Sequence, residues 1–67
     1  MTKLLERRKR LKLTQAQVSD LSGVSERTYA EHERGAGRKC PAPVRYAIAM
    51  ALKVKPLDVF DEHGVAR

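Results

Sequence analysis

The sequence predicts an all-α fold: a compact bundle of five short helices in one domain, residues 1–61, followed by a flexible tail, residues 62–67. Three observations carry this expectation. Apolar residues recur at helical spacing in separate short segments, among them Leu4, Leu5 and Leu11 early on and Val44, Ala47, Ile48, Ala51 and Leu52 later. Residues that open helices (Thr2, Thr14, Ser25, Pro43, Pro56) and residues that close them (Gly23, Gly35) follow each other along the chain. No stretch shows the strict alternation of a strand, and no segment repeats.

Each element has a local reason. Helix one follows an N-cap at Thr2 and runs to about Leu11, with Leu4 or Leu5, Arg8 and Leu11 on one face. Helix two, from about Gln15 to Ser22, is capped by Thr14, and Gln17 three residues on completes a capping box. Gly23 tolerates the positive φ with which a helix stops and turns. Ser25 caps helix three, from about Glu26 to Arg34, and Gly35 suits the position after its end. Gly35 to Ala42 reads as a loop holding Arg38, Lys39 and Pro41. Pro43 suits the first position of helix four, which runs to about Lys53. Pro56 opens a short fifth helix through Phe60, and the remainder carries no periodicity and reads as a frayed end.

Helices two and three, residues 14–35, are joined too closely to lie antiparallel, so they cross steeply. That is helix-turn-helix geometry, whose second helix enters the major groove of duplex DNA with its first turn deepest. Glu26, Arg27 and Thr28 fill that turn. Arg27 can present two donors to O6 and N7 of guanine, a contact worth about 1–3 kcal/mol of discrimination. Glu26 either accepts from cytosine N4 or stabilises the positive helix terminus. Ser25 can cap and also reach a phosphate. Thr14 and Gln15 point together toward the groove side. Arg34, Arg38 and Lys39, at the end of helix three and in the loop, are read as phosphate contacts.

The residues Leu13-Thr14-Gln15, Val18, Leu21, Gly23-Val24-Ser25 and Glu33-Arg34-Gly35 also resemble a family: the lambda-repressor-like DNA-binding domain of phage repressors, Cro proteins and bacterial Xre-type regulators. The resemblance runs from Lys3 to Asp61. It takes in the basic segment from Leu4 to Leu11, the segment from Ala47 to Leu52, and a closing turn from Val54 to Phe60. It implies that the Gln15 amide touches a phosphate and braces the first residue of helix three. It places Ala30 against a thymine methyl, and Glu31 where relatives have a base-contacting glutamine or arginine. An acid there departs from the family pattern: Glu31 reads cytosine, pairs with Arg27 or Arg34, or weakens binding. The resemblance further implies a structural ion pair between Arg8 and Glu33, which fixes geometry more than it adds net stability. Tyr29 and His32 are expected to pack inward with Val24.

Composition sets the partner class. The 67 residues hold 14 Lys and Arg against 8 Asp and Glu, a net charge of +6, which favours a polyanion. The excess lies on either side of the motif: residues 1–13 carry Lys3, Arg7, Arg8, Lys9, Arg10 and Lys12 against Glu6 alone, whereas residues 14–35 are acidic on balance. Flanks that grip phosphates around a centre that touches bases fit this distribution. Cys40 is the only cysteine, so no internal disulfide forms, and it is expected to be an inert loop thiol. His32 and His63 stand apart, no zinc-ligand spacing occurs, and neither metal nor cofactor is expected. No apolar run is long enough to span a bilayer and no signal peptide is visible, so the expected setting is the cytoplasm, at the nucleoid, with no membrane partner. A chain of this size has no room for a second domain that would take a small-molecule ligand.

The function these features point to is that of a small Cro-like transcription repressor. It would bind a palindromic double-stranded operator as a homodimer formed in solution or on DNA, pairing through Val54, Leu57, Val59 and Phe60. An antitoxin-type autoregulator is one alternative, though no long neutralising tail is present. A protein-interaction domain that has kept the fold without binding DNA is another, favoured by the acidic helix three. No phosphate loop, metal set or nucleophile–base constellation suggests an enzyme.

Overall fold

A computed structural model of the chain describes residues 2–35 and 37–67. Met1 and Ala36, which fall within the expected domain and loop, lie outside the described residues. Five helices follow one another: α1 (Lys3–Arg10), α2 (Gln15–Ser22), α3 (Glu26–Arg34), α4 (Ala42–Ala51) and α5 (Pro56–Val59). Their main contacts close a ring. α1 packs on α3, α3 on α2, α2 on α4, α4 on α5, and α5 back on α1.

The helix ends behave as their residues dictate. Thr2 accepts a hydrogen bond from the Leu5 N–H at 3.3 Å, and Thr14 and Gln17 form the full capping box at 3.1 and 2.7 Å. Gly23 ends α2 in the left-handed region, at φ 75°. Serine hydroxyls then lock the turn: Ser19 donates to the Val24 carbonyl at 2.6 Å, and the Val24 N–H donates to Ser22 at 3.2 Å. α4 begins one residue before its expected start, with Pro41 as N-cap and Pro43 inside the first turn, where no amide hydrogen is needed.

The core is small and mostly aliphatic. Leu4, Val18, Tyr29, Cys40, Ile48, Leu52, Val59 and Phe60 form one buried cluster to which every helix contributes. Cys40, expected as an inert loop thiol, lies in the loop before α4 with its side chain in this core, and burial pushes its thiol pKa up, which suppresses the reactive thiolate. His32, expected to pack inward, is buried.

The interior also holds a carboxylate. Glu33 on α3 receives Arg8 of α1 through two parallel hydrogen bonds, Nε to Oε2 at 2.7 Å and Nη2 to Oε1 at 2.9 Å. The remaining amino group of Arg8 donates to the Leu13 carbonyl at 2.9 Å, where α1 hands over to α2. Gln15 of α2 donates to Glu33 Oε1 at 3.1 Å. Burial pushes the Glu33 pKa up, but the hydrogen bonds from Arg8 and Gln15 outweigh it and hold the carboxyl below the usual carboxylate range. The Tyr29 hydroxyl stands beside this pair. Burial pushes it far above the usual tyrosine range and the Glu33 charge adds to that, yet no hydrogen bond of good geometry meets it.

Residues 62–67, expected to be a flexible tail, pair with the body of the domain. Asp61 accepts from the His63 and Val65 N–H groups at 2.8 and 3.0 Å and turns the chain back. Phe60 then pairs with Ala66, and Lys39 with Val65, as isolated antiparallel bridges. The Gly64 carbonyl takes the Cys40 N–H at 2.8 Å, and the Arg67 carbonyl takes the Lys3 N–H at 2.6 Å. Gly64 has φ 86°, and a Cβ there would stand 3.0 Å from the Cys40 carbonyl oxygen. No apolar periodicity announces this segment because backbone pairing and one aspartate hold it, not a side-chain stripe.

Acid should unfold the domain in two steps. Unfolded His32 takes up a proton near its ordinary pKa of 6.5, whereas burial lowers the value in the fold. The unfolded state therefore gains the proton first, and stability falls as pH drops below about 6.5 toward the folded value. Glu33 adds a second loss at lower pH, because its stabilisation is complete above the usual carboxylate range and fades as pH falls through its depressed folded pKa. Thermal midpoints measured across pH should show both steps, and His32→Leu should remove the upper one alone. A parent midpoint that stays constant through the histidine range would contradict the burial argument.

Candidate nucleic-acid interface

α3 has one end sealed and one end open. Tyr29, His32 and Glu33 face the interior, while Ser25, Glu26 and Arg27 are exposed at the N-terminal end. Ser25 accepts from the Thr28 N–H at 3.2 Å and donates to the Thr28 hydroxyl at 2.8 Å. This exchange leaves the Thr28 hydroxyl hydrogen free to point outward. The positive end of the helix dipole lies at the same place.

The proposed base readers lie in the first two turns of α3. Glu26, Arg27, Thr28, Ala30 and Glu31 are all exposed or half-buried. Arg27 is open to solvent, with its side chain 92% exposed. Glu31 is drawn in at 23% and does not stand free: Oε1 lies 3.7 Å from Arg27 Nε, and Oε2 is bonded to Nη1 of Arg38 in the following loop. Of the pairings weighed for Glu31, Arg27 is realised, Arg34 is not among its partners, and Arg38 is an addition.

The proposed phosphate contacts lie at or near the surface. Thr14, Ser25, Arg34, Arg38 and Lys39 are exposed and Gln15 is half-buried. Gln15 braces Glu33 in the last turn of α3 rather than the first residue of that helix. Its amide carries a second hydrogen beyond the one given to Glu33. Lys39 is fixed by its bridge to Val65, so the folded tail steadies the loop that carries it.

The expected pairing residues divide. Val59 and Phe60 are 2% and 0% exposed and lie in the chain's own core, which withdraws them from any second chain; Val54 is half-buried and Leu57 is 63% exposed. Among the described residues, the large apolar side chains left exposed are Leu21, Tyr46, Met50 and Leu57. Tyr46 and Met50, four residues apart, share one face of α4. They lie off the Val44–Ile48–Ala51 stripe that packs toward the core. Two further arginines are tied to backbone carbonyls. Arg7 Nε donates to the Leu52 carbonyl at 3.0 Å, and Arg45 Nη1 to the Cys40 carbonyl at 2.6 Å.

Among the described residues no group of His, Cys, Asp and Glu is placed to hold a metal ion, and no helix is long and apolar enough to cross a membrane.

A family model described as Helix-turn-helix (HTH_3) matches residues 4–59, from the first turn of α1 to the end of α5. No curated protein and no solved structure matches the chain. With the closely joined α2–α3 pair, its glycine turn and the exposed first turn of α3 in place, the chain belongs to the Cro/Xre-like helix-turn-helix family of DNA-binding regulators.

Proposed function

We propose that this protein is a small repressor that binds a palindromic operator as a homodimer, with α3 in the major groove, and blocks transcription by occupying an overlapping promoter. The observation that carries the reading is the open end of α3. An exposed Arg27, approached only at Nε by Glu31, stands in the first turn of α3 with the Ser25–Thr28 hydroxyl pair, and the exposed cations Arg34, Arg38 and Lys39 follow it along the chain. Arg27 reads guanine, Ala30 lies against a thymine methyl, and the surrounding groups grip phosphates.

A second copy is expected to meet the face formed by Tyr46 and Met50 of α4 and Leu57 of α5. Arg45 is the only charged residue of α4, and its guanidinium is occupied by the Cys40 carbonyl.

Selection of bound fragments from a random duplex library tests the reading. It should return a two-fold symmetric site, and no enrichment would favour a protein-interaction role. On that site Arg27→Ala should cost about 1–3 kcal/mol and flatten preference at one base pair per half-site. Arg38→Ala should weaken all sequences alike and reduce the log–log salt slope by about 0.9. An unchanged ranking for Arg27→Ala would move the reading head elsewhere.

Tyr46→Glu and Leu57→Glu test the pairing face. Each should leave half-site affinity and thermal stability near the parent values and abolish the gain seen on a full palindrome. Equal losses on half-site and palindrome would assign these residues to the monomer instead.

A further inference from the structure

Glu31 is an acid on the edge that is to meet a polyanion, where it should repel DNA. Its contacts give it a different task. One carboxylate oxygen faces Arg27 Nε at 3.7 Å, one helical turn away, and the other is bonded to Arg38, seven residues on in the loop. The approach to Arg27 is from the Nε side, which leaves the two terminal amino groups available. Those are the groups that would meet O6 and N7 of guanine. We propose that Glu31 is a positioning residue that aims Arg27 at its base and holds Arg38 at the groove edge, exchanging general affinity for sequence discrimination.

An arginine as exposed as Arg27 samples many rotamers, and a bidentate contact must order it. A carboxylate fixed one turn along restricts that sampling before DNA arrives. An exposed i,i+4 ion pair adds little to folding, so the effect of this one lies in orientation. The same carboxylate subtracts one charge from the edge and loosens binding to every sequence equally. Glu31 is itself held on two sides, which keeps it from turning outward to accept from cytosine.

This inference rests on the DNA-reading role assigned to Arg27, and the test separates the two. Competition titrations at fixed salt would compare the selected operator, the same operator with the Arg27-read guanine replaced, and a random duplex. Glu31→Gln should bind the random duplex more tightly than the parent. Its preference for the guanine should fall roughly threefold to tenfold, the cost of ordering one rotamer-rich side chain at the moment of binding. In an Arg27→Ala background, Glu31→Gln should leave discrimination at that position unchanged, a result that a merely structural role would not produce. Helical content and thermal midpoint should match the parent in both variants, since the Arg27 and Arg38 pairs are exposed. If Glu31→Gln instead alters preference at a different base pair, Glu31 reads a base directly and the inference fails. If the guanine preference is unaltered, the inference fails while Arg27 keeps its role. If the parent itself shows no preference among duplexes, the reading of Arg27 fails, and this inference with it.

Discussion

Glu33 is a carboxylate inside a domain of 67 residues, and only a complete set of donors lets it stay there. Arg8 supplies two hydrogen bonds from α1 and Gln15 a third from α2. Three helices are thereby joined at one side chain. Ion pairs of this kind add little net stability against an apolar replacement, yet they are intolerant of wrong geometry, since a shifted helix strands a charge. That intolerance is useful to the domain: α3 can sit at one angle to α1 and α2 and at few others. Thr2 adds to the constraint, because its hydroxyl donates to the Glu33 carbonyl at 2.6 Å and ties the start of α1 to the end of α3.

The presentation of the N-terminal end of α3 depends on this anchor. α3 is nine residues long, and its far end is fixed by Tyr29, His32 and Glu33 in the interior. Its near end can then project Arg27 into solvent without help from the core. The ring of helix contacts completes the support, with α4 and α5 closing the side away from α3. A chain this short has little core to spare, and the unpartnered Tyr29 hydroxyl and His32 Nδ1 weaken it further. The tail contributes where the helices leave a gap, by pairing with Lys39 and Cys40 across the loop.

Much of the architecture was legible in the residues. The bounds of α2 and α3 follow from local chemistry, Thr14 with Gln17, Gly23, Ser25 and Gly35, and local chemistry is what a sequence states most directly. The Arg8–Glu33 pair was legible through family resemblance, but the Gln15 brace on Glu33 was not, because a contact across eighteen residues has no spacing signature. The sequence alone points Val59 and Phe60 outward, because a short terminal helix cannot show which of its faces a folded tail will cover. That cover is made by the Phe60–Ala66 pairing, which backbone groups carry and composition hides. Glu31 was ambiguous for a related reason: its partner Arg38 lies beyond a loop whose path no pattern specifies.

A double-mutant cycle on Arg8 and Glu33 tests the central claim most directly. Urea unfolding would be measured for Arg8→Met, Glu33→Leu and the pair together, alongside operator discrimination for each. Each single change should cost about 3 kcal/mol or more, because it leaves one buried charge without its partner. The double variant should lose much less than the sum and remain helical, yet discriminate poorly among duplexes because α3 is no longer held at one angle. Additive losses, or a double variant that discriminates as well as the parent, would contradict the claim that this interior ion pair sets the presentation of the recognition helix.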